Sequence, residues 1–171
     1  MTNKPEHITQ LLGNDLVPKN HPQILFRGKL DSLQAQVVLI QCELQALGGQ
    51  AALIADLQDI LTCLRGIMGC AVLDTPLETE RIIGLTYEEL RERSHNPQKF
   101  FNIPQMALTD YTQGKTVALL NSLRANIREI EAAAVSAFES EHGVSRPDLI
   151  RALNRLSSAA HILMCRALAE Q

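Results

Sequence analysis

Arg124, Arg128 and Glu131 recur at i, i+4 and i+7, so on an α-helix they fall along one stripe. Two guanidinium groups at that spacing can clamp a polyphosphate, with the carboxylate orienting one of them. The same pattern also serves as a solvated salt-bridge face. A second polar stripe, Asn154, Ser157 and His161 at i, i+3 and i+7, lies inside RPDLIRALNRLSS, a stretch otherwise patterned for a core. It fits either a satisfied contact between helices, with Asn154 fixing register, or a surface turned to a ligand. As a metal site the His161 stripe is expected to be weak. Asp31 sits at the edge of an apolar seam, where it can meet solvent or pair with an arginine of a neighbouring helix or subunit. Lys19, in LVPKNHP, lies in a proline-stiffened segment that would let it meet a phosphate at little entropic cost.

The elements that must hold these groups are helical. Leu30, Leu33, Val37, Ile40, Leu44 and Leu47 recur every three or four residues from Gln23 onward and stop at Gly48-Gly49. Leu53, Leu57, Ile60, Leu64 and Ile67 form a second seam. Residues 73–85 break the period, and Thr86 then opens a short helix with Glu89 as capping-box partner. Residues 95–115 form the longest irregular stretch; with Phe100 and Phe101 inside, it is expected to be a functional loop. A third long helix is expected from about Thr116 to His142, with Leu120, Leu123, Ile127, Ile130, Ala134 and Phe138 on its seam. The last helix is expected to be capped by Ser145 with Asp148, to tolerate Pro147 in its first turn, and to bury Leu149, Leu153, Leu156, Ala160 and Leu163. Residues 1–22, with three prolines and little periodicity, read as a loop. The prediction is an all-α, up-and-down bundle of four long helices plus one short helix, a five-helix bundle forming one domain.

Composition bounds the function. The chain has 171 residues, is 46% hydrophobic and lacks tryptophan, which suits a single buried core. A net charge of −3 creates no global field for nucleic acid or an anionic membrane, so neither is an expected partner. No apolar run reaches membrane-spanning length and MTNKPEH lacks a leader's apolar core, so a soluble, cytoplasmic protein is expected. The four cysteines, Cys42, Cys63, Cys70 and Cys165, form no CxxC pair. They are expected to be reduced, with Cys42 and Cys165 buried in apolar helical runs.

These fragments together resemble the cobalamin adenosyltransferases, in particular the ethanolamine-utilisation type, which is related to the propanediol-utilisation type. The family's LNRLS motif appears as Leu153-Asn154-Arg155-Leu156-Ser157, and its R-x-x-x-R-x-x-E as Arg124, Arg128 and Glu131. Thr9, Leu11, Gly13, Val17, Lys19, Pro22, Gly28 and Asp31 fit the spacing of its N-terminal pattern. FRGKLDS, RERSHNP, ALLNSLR and RPDLIRALNRLSS carry the likeness to the ethanolamine type, which extends over nearly the whole chain. The family's glycine-rich T-x-x-G-D-x-G stretch is here replaced by NKPEH.

The resemblance implies a trimeric helical bundle with active sites between subunits. It implies transfer of the 5′-deoxyadenosyl group of ATP to the cobalt of cob(I)alamin, forming adenosylcobalamin. By position, Arg124 and Arg128 would bind the triphosphate, helped by Lys19 and Thr9, and residues 1–22 would form the phosphate loop ahead of a bundle over 23–171. Asn154 would hydrogen-bond the nucleotide, Asp31 would pair with Arg124 across the interface, and Glu131 would support the arginines or the Mg²⁺-bound phosphates. Phe101, or Phe100, would wedge below the corrin ring. Mg²⁺ would arrive with ATP, and no transition metal would be held by protein ligands. Implied partners are a cobalamin reductase and an adenosylcobalamin-dependent ethanolamine ammonia-lyase, with association to a bacterial microcompartment. The alternative is a non-catalytic bundle that binds corrinoid or protein partners.

Overall fold

A computed structural model describes residues 5–105 and 108–171. Four long helices make the body: α1 (Pro22–Leu47), α2 (Ala51–Leu73), α5 (Gly114–Ala137) and α6 (Pro147–Ala169). Two short helices, α3 (Tyr87–His95) and α4 (Pro97–Phe101), lie against α6. The expected all-α bundle is therefore present, with α4 as an extra turn inside the stretch expected to be irregular. Met106 and Ala107 of that stretch, and Met1–Lys4 of the expected phosphate loop, lie outside the described residues.

Each helix begins and ends for local reasons. Pro22 opens α1 with the fixed φ a first turn needs, and the His21 ring accepts from the Gln23 N–H at 3.3 Å. Gly48, at φ 75°, ends the helix where the seam stops. Thr86 caps α3 as expected: its hydroxyl accepts from the Glu89 N–H at 3.2 Å, and Glu89 accepts from the Thr86 N–H at 2.8 Å. Leu30, Leu33, Val37, Ile40 and Leu44 of α1, Leu57, Ile60, Leu64 and Ile67 of α2, and Leu120, Leu123, Ile127, Ile130 and Ala134 of α5 are all buried. Helix α6 packs on α5, α3, α2 and α4, and a helix with so many neighbours must be apolar around most of its girth.

Several expectations are corrected. The leading residues are not a plain loop: β1 (Ile8–Gln10) and β2 (Leu16–Pro18) form an antiparallel hairpin pairing Thr9 with Val17. A second hairpin joins β3 (Arg81–Ile82) to β4 (Leu85–Thr86) in the stretch that broke the helical period. Helix α5 ends at Ala137 rather than His142, and a third hairpin, β5 (Glu139–Ser140) with β6 (Gly143–Val144), follows. The misleading signal is Phe138. Its ring continues the apolar seam, but it packs edge-on against Phe26 with centroids 5.5 Å apart. Its carbonyl is closed off by the backbone N–H and hydroxyl of Ser145, at 2.8 and 3.2 Å.

That arrangement removes Ser145 as a cap. Arg146 takes the N-cap position of α6 with no side-chain cap bond, while Pro147 opens the first turn as expected. Asp148 is occupied by Arg146 and by the Leu77 N–H, at 2.8 and 3.0 Å. Cys42 is exposed, against expectation, while Cys63 and Cys165 are buried. Two residues along a helix from buried Ile40 is a rotation of about 200°, so Cys42 faces away from the seam despite its apolar neighbours. Among the described residues, no helix is long and apolar enough to cross a membrane.

Candidate functional site

Between α5 and α6, closed at one end by the C-terminus of α3, lies a cleft of about 590 Å³. That is inside the range of roughly 300–1,000 Å³ typical of small-molecule pockets. Arg124, Arg128 and Glu131 line it from α5, and Asn154, Ser157 and His161 from α6. Both stripes picked out by spacing therefore face one another across a single concave surface. The interruption of the apolar face of α6 has a physical cause: Leu149, Leu153, Leu156, Ala160 and Leu163 are buried, and the polar positions occupy the gap left open beside α5.

The charge balance of the cleft is its most informative property. Arg124 is half-buried, and burial together with the neighbouring Arg128 pushes its guanidinium pKa below the ordinary value. Among the described residues neither Arg124 nor Arg128 forms an ion pair with a carboxylate. Two like charges held close, neither of them in an ion pair, favour an incoming anion. Glu131 does not hold either arginine, although that was one expected role. It accepts from Asn154 Nδ2 at 2.8 Å, and Asn154 Oδ1 in turn accepts from Arg155. Asn154 is thereby fixed between two neighbours, which pre-organises its amide.

His161 is pushed below its ordinary pKa, by burial first and then by Arg124 and His95. At neutral pH it is an uncharged imidazole, with Nε2 3.6 Å from the Cys165 sulfur. It adds polarity to the cleft wall without adding to the positive charge.

Other expected site residues lie apart from the cleft within this chain. Thr9 is half-buried in the β1–β2 hairpin, Lys19 is exposed just beyond it, and Asp31 is exposed on α1 without an ion pair among the described residues. Phe101 packs against the core. Phe100 carries Lys99 and Arg93 over its ring, at 4.8 and 5.6 Å from the centroid. Both rings belong to α4, two residues beyond His95 at the cleft edge.

Sequence reasoning missed Ser94, Thr109, Asn121 and Ser158, which also line the cleft. Asn121 had a usable signal, since it precedes Arg124 by one helical turn within ALLNSLR. Thr109 had none, because its position depends on the path of an irregular segment. A second cleft of about 430 Å³ lies where α2, the start of α5 and the end of α6 meet. Its cations are already neutralised: Arg166 pairs with Asp56 at 3.3 Å, and Lys115 pairs with Glu43. It therefore lacks the unbalanced charge that marks the α5–α6 cleft.

Comparison with known proteins adds an independent line. The family model described as "Cobalamin adenosyltransferase" matches residues 1–167. The chain is 36% identical over 168 residues to the corrinoid adenosyltransferase EutT of Salmonella typhimurium, an alignment covering 98% of this chain and 61% of that protein. The identity is again 36%, over 169 residues and with the same two coverages, for the corrinoid adenosyltransferase EutT of Escherichia coli. The chain thus spans about three fifths of the length of the curated relatives it matches.

Proposed function

The chain belongs to the cobalamin adenosyltransferase family, and from that premise we propose that it transfers the 5′-deoxyadenosyl group of ATP to the cobalt of a reduced corrinoid, in service of ethanolamine utilisation. The observation that carries this reading is the pair of arginines in the α5–α6 cleft, Arg124 half-buried and Arg128 exposed beside it, neither in an ion pair among the described residues. Such a pair suits the triphosphate of ATP and, still better, the same group as it departs with added charge.

The reaction asks little covalent chemistry of the protein. Cobalt(I) supplies the electron pair that forms the bond to C5′. The C5′–O bond breaks, its electrons leave on the triphosphate, and cobalt ends two electrons more oxidised. The protein must hold the two reactants in line and stabilise charge on the leaving group. Arg124 and Arg128 do the second. Asn154, clamped by Glu131 and Arg155, holds the nucleotide in one orientation. Mg²⁺ would enter with the ATP phosphates, and Glu131, which lines the same cleft as the arginines, would support it from the cleft wall. Phe101, or Phe100, on the short helix that follows His95, would wedge below the corrin ring and exclude a ligand from its lower side.

Thr9, Lys19 and Asp31 complete the site from a second copy of the chain in a homotrimer. Support comes from α1, where Val38 lies seven residues beyond Asp31 on the same face and is 42% exposed, with Leu39 beside it at 59%. Large apolar side chains exposed on the same helix as an acid that has no ion pair among the described residues suit a self-association surface that brings Asp31 to Arg124 of a neighbour. The same assembly would bring the hairpin bearing Thr9 and Lys19 to the phosphates. A reductase supplying cobalt(I), and an adenosylcobalamin-dependent ammonia-lyase receiving the product, are the partners this chemistry requires in the cytoplasm or a microcompartment.

The test is anaerobic incubation of the protein with ATP, Mg²⁺ and chemically reduced cobalamin. Appearance of the cobalt–carbon bond spectrum, in proportion to protein and ATP, is the expected result. No product under several reductants, with corrinoid still bound, would replace the enzyme by a non-catalytic corrinoid-binding bundle.

A further inference from the structure

Arg124 grips a phosphate best if its guanidinium is already aimed, and a long side chain left to itself samples many rotamers whose entropy is lost when it is fixed. In the structure it is not left to itself. Both Nε and one terminal nitrogen of Arg124 donate to Asn121 Oδ1, at 3.2 and 2.9 Å. Asn121 is half-buried one turn earlier on α5, and its own Nδ2 donates to Thr109 Oγ1 at 2.8 Å. That second bond fixes which way the amide faces, because only the oxygen end can then receive the guanidinium. All three residues line the cleft.

The choice of an amide is chemically specific. A carboxylate at position 121 would orient Arg124 as well or better, but it would add a negative charge to a cleft that must receive an anion. A neutral acceptor orients without neutralising. We propose that Asn121, anchored by Thr109, is a positioning residue for the polyphosphate site, holding the Arg124 guanidinium toward the cleft without adding a carboxylate there. This inference rests on the reading of the α5–α6 cleft as the triphosphate site.

The experiment is isothermal titration of inorganic tripolyphosphate, and separately of MgATP, into the whole protein and its variants, with circular dichroism confirming the fold of each. Arg124→Ala is expected to lose tripolyphosphate binding by roughly a hundredfold and Asn121→Ala by roughly tenfold, as for bonds to charged groups. The double variant should be no weaker than Arg124→Ala alone, since Asn121 acts only through that arginine. Asn121→Asp should be weaker than Asn121→Ala, an ordering that a merely structural asparagine does not produce. Thr109→Val, which leaves the helix untouched, should cost about two- to threefold. If Arg124→Ala loses binding while Asn121→Ala and Thr109→Val stay within twofold of the parent, the positioning role is wrong and the site reading stands. If Arg124→Ala itself binds like the parent, the site reading falls and the positioning role falls with it.

Discussion

Arg124 and Arg146 are the same residue type on adjacent helices, placed in opposite circumstances. Arg146, at the start of α6, is 12% exposed and spends its donors inside the chain. It bonds both oxygens of Asp148 at 2.8 and 3.0 Å, the Cys70 carbonyl at 3.2 Å and the Thr75 carbonyl at 2.7 Å. Its pKa is raised, chiefly by the Asp148 hydrogen bonds, and it holds the Asp148 carboxyl down to about 2. Among the described residues Arg124 bonds only the neutral oxygen of Asn121, and its pKa is pushed down by burial and by Arg128. One guanidinium is a staple closing the C-terminal end of α2 onto α6, assisted by Arg27, which donates to the Ala71 carbonyl at 2.9 Å. The other is kept for a partner that the chain does not contain. The distribution of counter-charge, rather than the residue type, separates structure from function here.

That contrast predicts a double dissociation. Replacing Arg128 or Arg124 with alanine should lower kcat by about 10²–10³-fold while leaving the unfolding midpoint nearly unchanged, as when one transition-state donor is lost. Anaerobic turnover assays beside thermal melts would check it, and a melt that falls in step with activity would make these arginines structural. Arg146→Ala should do the reverse. Removing the Arg146 bonds to Asp148 and to the Cys70 and Thr75 carbonyls should cost about 2–4 kcal/mol in a denaturant titration, with nucleotide affinity per folded molecule retained.

A smaller effect separates the two regions by pH. The folded carboxyl of Asp148 is held at about 2 against an ordinary 3.8, so its contribution is present above 3.8 and is lost as pH falls through 2. Asp148→Asn should remove roughly 1–2 kcal/mol at neutral pH and flatten the acid limb of the stability curve in that window. Smallest of all should be His161. Its folded pKa lies below 6.5, so protonation favours the unfolded chain, and stability present above 6.5 declines as pH falls through the folded value. His161→Gln should blunt that decline in urea melts at stepped pH; an unchanged slope would mean that the imidazole titrates freely in the cleft.

How much of this was legible beforehand differs between elements. The seams of α1, α2, α5 and α6 were readable because each buries a face at a period that the chain repeats over many turns. The capping box of α3 was readable because Thr86 and Glu89 satisfy each other and need no other element. Ser145 and Asp148 offered the same local pattern at α6, yet Phe138, Leu77 and Arg146 claimed their polar atoms first. The hairpins escaped because strands of two or three residues leave no periodic trace. In the site, the α5 and α6 stripes were visible as helical spacing, and the structure sets them face to face. Glu131 turning to Asn154 instead of to the arginines was not visible, since only the distance between two helices decides it. Thr109 was beyond reach because its position depends on the path of an irregular segment.

The most direct measurement is a crystal structure of the protein with MgATP. The account predicts triphosphate oxygens within hydrogen-bonding distance of both Arg124 and Arg128 in the α5–α6 cleft, with the Asn154 amide on the nucleotide. Triphosphate bound at Arg166 and Lys115 in the other cleft, with Arg124 and Arg128 turned to solvent, would contradict it.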